Sequence, residues 1–306
     1  SNFNMINCLI CHKPAELLVD KAKDYFILKG QSPDFKIYYC SFCKTAFSLP
    51  FLTDQELAES YPAEYEAYNM RKSFTSLLQI VKYKSDLSLL KKNLSKANAS
   101  LFEIGAGRGE FLNQAKNVGF SVSGLEPGQA GRAAAIKLFK IELRPGYAGE
   151  LEFKEKYDAI VMRHVFEHIG EPVKVLEKIK SGLADHGILF LKLPRLDSWE
   201  AKFFKKYWHG YDLPRHRFHY SAEGIIKMLK NSGFSQVEII RENVPSDIIR
   251  SLEYYNLGER DLLGRAIKLY LVLPDIIKLI LAQAAVIILS PFKSGRMIVI
   301  AKANSL

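Results

Sequence analysis

Four cysteines within the first 43 residues of this 306-residue chain have a spacing that could bind a metal ion. They form two C-x-x-C pairs, Cys8 with Cys11 and Cys40 with Cys43, separated by 28 residues. Two such pairs can place four thiolates at the corners of a tetrahedron, with Zn²⁺ at about 2.3 Å from each sulfur. Because four protein ligands leave no open position, the spacing predicts a structural Zn²⁺. The alternatives are a disulfide pair, or His12 in place of one thiolate.

A second segment with chemical potential is the glycine-rich stretch that begins at Glu103. An apolar run ends there in glycines at alternate positions, and a helical pattern starts near Glu110; the glycines are Gly105, Gly107 and Gly109. Such a turn lets a ligand approach the backbone closely, and the helix N–H groups point toward it. The next apolar run, 120–125, ends in Glu126, an acid suited to a ribose diol. The pattern favours a nucleotide-like cofactor over an ordinary tight loop.

Histidines in the second half of the chain are candidate proton acceptors. His164 and His168 follow a predicted strand at 157–162, and on a helix they would share one face. A zinc site there is disfavoured, since the H-E-x-x-H order is absent and no third ligand is suggested. His216 and His219 lie in a segment, 199–220, crowded with aromatic and basic residues that suit a sugar, nucleotide or phosphorylated ring. His168, His216 and His219 are candidate bases, although each could be structural.

The elements that must position these residues alternate between strand and helix after residue 99. This alternation predicts an α/β fold with a Rossmann-like parallel sheet and helices on both faces. Ligands of such sheets bind at the carboxyl ends of the strands, where the glycine turn and His164 would lie. Strands are predicted at 101–104, 120–125, 141–143, 157–162, 187–193, 236–240 and 296–302, and short zinc-ribbon strands at 25–28 and 36–39.

The predicted domains are a zinc ribbon at 5–50, a helical linker or lid at 51–98 and a catalytic domain at 99–306. Within the linker, Tyr65 and Tyr68 could be core aromatics. An apolar insertion interrupts the last domain at about 243–295, and its longest uncharged run has 14 residues. A spanning helix needs about 20 apolar residues, so the insertion predicts two helices and no transmembrane segment. Residues 262–292 could serve as core, as a homodimer interface or as a peripheral membrane contact.

Composition sets broad limits on the class of protein. Apolar residues make up 48% of the chain, enough for a sizeable core, and the net charge is +10. The positive charge indicates either an anionic partner or simple solubility. The first residues lack the pattern of a secretory signal, so we expect a cytoplasmic protein, with membrane association left open.

Several motifs together resemble class I S-adenosylmethionine (SAM) dependent methyltransferases. The stretch from Glu103 to Gly109, E-x-G-x-G-x-G, resembles their first motif, and 164–168 resembles their post-strand motif H-V-x-E-H. Residues 8–50 resemble the zinc ribbon that precedes the catalytic domain in many bacterial members, although His12 and Lys44 stand where those members usually carry glycine. The resemblance implies that SAM is bound by Glu103, Gly105, Ala106, Gly107, Gly109, Glu126, Pro127, Tyr147, Arg163 and His164. In that family the linker region packs over the cofactor site, which implies that Tyr65 and Tyr68 could close it.

The same resemblance implies the type of reaction. Residues 212–221 resemble the acceptor loop of zinc-ribbon methyltransferases and, distantly, the His-Glu-His loop of sugar C-methyltransferases. On that pattern His216 takes the base position, with His219 and His168 in reserve. Pro214 and Arg215 replace the first two residues of the triplet, so methylation of a hydroxyl is favoured over carbon or nitrogen. The expected acceptor is a sugar, glycan or other small molecule, phosphorylated or lipid-linked. A nucleic-acid methyltransferase is disfavoured, because no Asn/Asp-Pro-Pro-aromatic motif follows the fourth strand; a non-catalytic SAM-binding scaffold is the other alternative.

Overall fold

The computed structural model describes residues 5–52, 56, 73–94, 96–259, 261–289 and 293–303. The chain forms two compact units, and each is assembled from several segments. The first unit contains residues 1–60, 193–228 and 239–298, and the second contains 61–192, 229–238 and 299–306. Each unit combines distant segments, because strands that are distant in sequence pair within one sheet. The predicted domain boundaries at residues 50 and 98 stay a prediction.

The elements follow one another closely along the chain. The strands are β1 (Ile6–Asn7), β2 (Pro14–Ala22), β3 (Phe35–Cys40), β4 (Thr45–Leu49), β5 (Ser100–Ile104), β6 (Ser121–Leu125), β7 (Tyr157–Arg163), β8 (Leu183–Pro194), β9 (Phe218–Tyr220), β10 (Phe234–Glu242) and β11 (Arg296–Ala303). The helices are α1 (Ser73–Asn93), α2 (Glu110–Asn117), α3 (Gln129–Phe139), α4 (Pro172–Gly182), α5 (Trp199–Phe204), α6 (Ala222–Asn231), α7 (Pro245–Gly258), α8 (Leu262–Leu271) and α9 (Asp275–Ile288). Among the described residues, none of these helices has the length and apolar character needed to cross a membrane.

The first unit contains a five-stranded sheet in the order β1-β2-β3-β4-β9. Its neighbouring strands are antiparallel, and β9 pairs with β4 through Thr45 with Tyr220 and Phe47 with Phe218. The predicted strand at 36–39 is confirmed within β3. The predicted strand at 25–28 is wrong, because Tyr25 instead packs into the core, with its ring 5.2 Å from that of Tyr207.

Aromatic side chains form much of the core of the first unit. Tyr207, Trp208 and Tyr211 are each less than 5% exposed, and all three belong to one apolar cluster with Tyr25 and Tyr254. The sequence pattern predicts that this aromatic segment contacts the acceptor. The structure assigns most of these rings to packing, since their large apolar area is more stable when it is removed from water.

The second unit is built on the sheet β10-β11-β8-β7-β5-β6, in which β6, β5, β7 and β8 pair in parallel. The predicted Rossmann-like α/β fold is confirmed. The predicted strand at 141–143 is wrong: its neighbourhood forms a single bridge, Leu125 with Arg144. The side chains of Ile141 and Leu143 are buried, so their apolar character reflects packing and not ladder pairing.

Helix α1, with 21 residues, lies in the second half of the predicted linker 51–98. It runs through Ser85 without interruption, and it buries Leu87 and Leu90. Tyr65 and Tyr68 lie outside the described residues.

Candidate active site and metal centre

The turn between β5 and α2 has three glycines with left-handed backbone. Their φ values are +72° at Gly105, +56° at Gly107 and +75° at Gly109. A Cβ at Gly105 would lie 2.5 Å from Cγ2 of Val165, whereas one at Gly107 would meet no other described atom within 4 Å. Packing therefore requires glycine at 105, while position 107 faces open space that a ligand can enter. Ala106, between them, is buried.

Glu126 follows β6 and contacts the same turn. Its carboxylate accepts the N–H of Gly107 at 2.8 Å through one oxygen and the N–H of Gly128 at 2.7 Å through the other. Each carboxylate oxygen has further acceptor capacity, so the group can also bind a vicinal diol. Pro127 comes next, and its carbonyl oxygen accepts from Arg132 Nη1 at 2.5 Å. The structure thus brings Gly107, Glu126 and Pro127 together, and their contact with SAM stays a prediction.

Glu103 and Arg163 form an ion pair inside the second unit. Arg163 Nε donates to Glu103 Oε1 at 3.0 Å, and the Glu103 side chain is 1% exposed. The guanidinium carbon lies 4.5 Å from the ring centre of Tyr83 and 4.3 Å from that of Phe111. Burial raises the pKa of Glu103, and the charge of Arg163 opposes this change. The pair joins β5 to β7 below the turn, and a direct contact of either residue with the cofactor stays a prediction.

The histidines that follow β7 do not share a helical face. His164 has φ of +57°, and its N–H donates to the carbonyl oxygen of Lys192 at 2.8 Å. A short 3₁₀ turn covers only Phe166–His168, so no α-helix contains both histidines. His164 Nδ1 lies 3.5 Å from Glu167 Oε1. The other predicted cofactor residue, Tyr147, is 44% exposed on its loop and is accessible to a ligand.

Replacing Gly107 by Ala should weaken SAM binding about tenfold or more, because the methyl group enters the open space at the turn. The left-handed backbone adds strain of about 1–2 kcal/mol. Gly119→Ala is a matched control, since Gly119 also has a positive φ, +98°. A Cβ added at Gly119 would have Asn98 Oδ1, at 3.6 Å, as its nearest neighbour. Calorimetric titration with SAM measures both variants; equal affinities in the two would show that the space at Gly107 is not the cofactor site.

A second polar cluster lies within the first unit around Arg215. This side chain is completely buried and donates to both carboxylate oxygens of Asp24 at 3.2 Å and to Asp212 Oδ1 at 2.8 Å. Burial disfavours the charge of Asp212, but Arg215 and then His216 lower its pKa below the usual range. Sequence reasoning missed Asp24, because it is 191 residues away from Arg215 and no local pattern marks the pair.

His216 is held in one tautomer by the backbone of this cluster. Its Nδ1 lies 2.8 Å from the carbonyl oxygen of Gly210. Because a carbonyl oxygen only accepts, Nδ1 carries the proton and Nε2 carries the lone pair. Nε2 lies 3.7 Å from Asp212 Oδ2. Burial lowers the pKa of His216 to about 4, so the ring is neutral at pH 7.

The two reserve histidines have different surroundings. His219 lies on β9, and its Nε2 is 2.8 Å from Ser48 Oγ, a partner that sequence reasoning also missed. Burial lowers the pKa of His219 well below its usual value. His168, in the second unit, is half-buried, and its N–H donates to the carbonyl oxygen of Val165 at 3.0 Å. Of His216 and His219, His216 is therefore the one whose ring proton is located by a backbone carbonyl.

We expect the free energy of unfolding to fall as the pH drops from about 6.5 to about 4. Burial lowers the pKa of both His209 and His216 from 6.5 to about 4. The unfolded chain therefore binds more protons than the folded chain in this pH window. Each histidine contributes up to about 3 kcal/mol to the free energy of unfolding, and this contribution is fully present above pH 6.5 and lost as the pH falls to about 4. Urea unfolding at a series of pH values tests this. His209→Gln should reduce the slope, and an unchanged slope would contradict the assignment.

The four cysteines lie together in the first unit. The sulfurs of Cys8 and Cys43 are 3.6 Å apart, those of Cys11 and Cys40 are 3.5 Å apart, and all four lie within 4.8 Å of one another. All four thiols are free, so the disulfide alternative is not realised. A tetrahedral ion with metal–sulfur distances of about 2.3 Å has sulfur–sulfur edges of about 3.8 Å. The four sulfurs fit such an ion.

Both cysteine pairs close with the same type of turn. The N–H of His12 donates to the carbonyl oxygen of Cys8 at 3.0 Å, and that of Lys44 to Cys40 at 2.8 Å. His12 and Lys44 have φ of +58° and +59°, the conformation that glycine adopts most easily. Their replacement of glycine therefore does not prevent the turn. The four-cysteine group does not include His12, whose side chain is exposed.

The parallel sheet, the glycine turn after β5 and the acid after β6 define a Rossmann-like protein with a site for a nucleotide-type cofactor. Residues 78–239, more than half of the chain, match the methyltransferase domain family. The chain belongs to this family, and it is a SAM-dependent methyltransferase, as its motifs predict. The cysteine cluster lies outside the matched residues.

Proteins of other organisms are similar to this chain. An uncharacterized protein of Methanocaldococcus jannaschii is 26% identical over 182 residues, which cover 58% of this chain and 85% of that protein. An uncharacterized methyltransferase of Staphylococcus carnosus is 29% identical over 106 residues, 34% of this chain and 51% of that protein. A solved SAM-dependent methyltransferase from Thermotoga maritima is 15% identical with a TM-score of 0.49, over 76% of this chain and 95% of its own.

Proposed function

We propose that this enzyme methylates a hydroxyl group of a sugar, glycan or other small molecule, including phosphorylated or lipid-linked acceptors. The observation that carries the proposal is the hydrogen bond from His216 Nδ1 to the Gly210 carbonyl, which makes Nε2 the proton acceptor. A hydroxyl oxygen must lose one proton as it bonds to carbon, and one neutral imidazole can take it.

The residues of the chain have separate tasks in this proposal. Gly107 leaves room for the cofactor, and Glu126 accepts hydrogen bonds from the ribose hydroxyls. When bound, SAM supplies an electrophilic methyl group. His216 Nε2 takes the acceptor's proton as the acceptor oxygen bonds to the methyl carbon, so the positive charge of an oxonium is avoided. The electron pair of the broken methyl–sulfur bond would remain on the sulfur of the departing cofactor. The carboxylate of Asp212, 3.7 Å from Nε2, then stabilises the protonated ring.

The surroundings of Arg215 favour oxygen over carbon as the methylated atom. Arg215 stands at the glutamate position of the sugar C-methyltransferase loop. Its guanidinium is completely buried and paired with Asp24 and Asp212, so it cannot serve as a base. The remaining group of that triplet is the single imidazole of His216, which is sufficient for a hydroxyl.

We also infer that Cys8, Cys11, Cys40 and Cys43 hold a structural Zn²⁺. Four thiolates complete a tetrahedral coordination shell, so the ion would have no open position for a substrate. Its role would be to fix the two turns that connect to β2, β3 and β4 in the sheet of the first unit.

A methyl-transfer screen tests the proposed acceptor class. The purified full-length protein is incubated with methyl-labelled SAM and separate pools of sugar nucleotides, lipid-linked saccharides, hydroxylated metabolites, RNA and DNA. We expect label in a hydroxyl-containing small-molecule or saccharide pool, and a methyl ether in the product by NMR. An N-methyl or C-methyl product would contradict O-methylation.

Two other results would point to a different function. Label in RNA or DNA, together with salt-dependent binding, would indicate a nucleic-acid methyltransferase. SAM binding without label in any pool would favour a non-catalytic scaffold.

A further inference from the structure

Helices α8 and α9, with the turn between them, expose a large apolar surface within the first unit. Exposed fractions there range from 41% for Ile277 to 81% for Leu262. We call this surface the apolar face and define it by Leu262, Leu269, Val272, Ile276, Ile280 and Ile287. Scattered exposed apolar residues are ordinary, but a set concentrated on two consecutive helices marks a contact site.

The geometry of α9 separates a packed side from an outward side. Ala282 and Val286 are buried, at 3% and 5% exposure, and α9 packs against α7 within the same unit. At 100° per residue, positions 276, 277, 280, 281, 284, 287 and 288 occupy a continuous outward arc of about 140°. In α9, which is described throughout, this arc carries no charged side chain, and Gln283 lies at its border.

The turn between the helices is held by backbone contacts. Tyr270 Oη donates to the carbonyl oxygen of Lys278 at 2.9 Å. The N–H of Leu273 donates to the carbonyl oxygen of Tyr270 at 3.1 Å. Val272, at the tip, is 73% exposed. The two helices are therefore joined by a defined turn that presents an apolar side chain outward.

Basic residues lie next to the apolar face on α8. Arg265 and Lys268 are both exposed, and Arg265 is three residues after Leu262 and four before Leu269, so these side chains are neighbours on the helix. Long basic side chains can lay their methylene groups along an apolar surface and place the charge at lipid headgroups. The net charge of +10 adds a general attraction to anionic surfaces.

We propose that the apolar face docks on the surface of an anionic phospholipid bilayer, with α8 and α9 lying in the interfacial plane. The helices have 10 and 14 residues, and a spanning helix needs about 20. A second copy of the chain fits less well, since protein interfaces carry about one hydrogen bond per 100–200 Å² and the outward arc of α9 offers almost no polar group. A lipid surface requires none. The inference is independent of the acceptor and of the proposed base.

Vesicle co-sedimentation of the full-length protein tests this proposal. The probes are vesicles of phosphatidylcholine alone and of phosphatidylcholine mixed with phosphatidylglycerol. We expect binding to the mixed vesicles that weakens with salt. Ile280→Asp with Ile287→Asp should reduce binding roughly hundredfold or more, because charges cannot enter the acyl boundary. Both side chains are more than half exposed, so the fold should be kept, which circular dichroism checks.

Two charge-reversal variants distinguish a local contact of α8 with the lipid from a general attraction between the protein and the vesicle. Arg265→Glu with Lys268→Glu should weaken binding to the mixed vesicles roughly tenfold or more. Lys91→Glu with Lys92→Glu makes the same charge change on exposed positions of α1 and should have little effect. Equal losses in both pairs would overturn the docking face.

Sedimentation and oligomeric state together give the results that would contradict the proposal. If the protein stays in the supernatant with both vesicle types, the proposal is wrong. If light scattering then shows a dimer that becomes a monomer in the Ile280→Asp and Ile287→Asp variant, the apolar face is an interface between copies.

Discussion

Replacing His216 by Gln is expected to lower kcat by about 10²–10⁴-fold, with SAM affinity unchanged. Glutamine can still donate to the Gly210 carbonyl, but it has no group that can take a proton at neutral pH. Because the pKa of His216 is lowered to about 4, the wild-type rate should fall as the pH drops through about 4, and not as it drops through 6.5. Steady-state kinetics across pH, with the acceptor from the screen, measure both effects.

His209→Gln is the matched control for this experiment. His209 is also buried in the first unit, burial also lowers its pKa to about 4, and its Nδ1 lies 3.3 Å from Tyr254 Oη. The control should lose stability but keep kcat. A similar kcat loss in both variants would assign His216 a structural role. A selective loss in His219→Gln or His168→Gln would move the base to that residue.

The protein is expected to carry about one Zn²⁺ per chain. The substitution Cys40→Ser should abolish zinc binding and destabilise the fold. Structural zinc contributes about 10–16 kcal/mol in isolated zinc-finger peptides, so the loss of even part of this exceeds the effect of most single substitutions. Elemental analysis gives the metal content, and urea unfolding monitored by circular dichroism gives the change in stability.

Ser41→Ala is the control for the zinc experiment, because Ser41 is exposed and adjoins Cys40 within the same turn. It should keep both the metal and the stability. Cobalt substitution provides an independent readout, since four thiolates should give sulfur-to-metal charge-transfer absorption. Protein that purifies without zinc and is unaffected by a strong chelator would disprove the metal site.

Parts of the cofactor site were predictable because their signals are local. Gly105, Gly107 and Gly109 adopt left-handed backbone in one turn, and glycine is the residue that does so at least cost. Glu126 lies at the turn, as its position after a strand predicts. Enzyme class followed from these motifs, whereas their spacing carries no information about the acceptor.

Aromatic residues show where prediction from the local sequence fails. Trp208 and Tyr211 suit a binding loop by type, yet they are core residues of the first unit. Burial and ligand stacking favour the same side chains, and only long-range packing distinguishes them. The same holds for Tyr25, whose apolar neighbours mimic a strand while its ring packs on Tyr207.

By itself, the sequence determined the sheet class, the glycine turn, the acid after β6 and the cysteine spacing, because each depends on residues close together in the chain. Tertiary structure alone decided which groups meet across long separations: β9 with β4, Arg215 with Asp24 and His219 with Ser48. It also decided that His216 is neutral and in one tautomer, since burial and the carbonyl of Gly210 set its proton. Desolvation and long-range pairing are properties of the packed chain, and no local pattern encodes them.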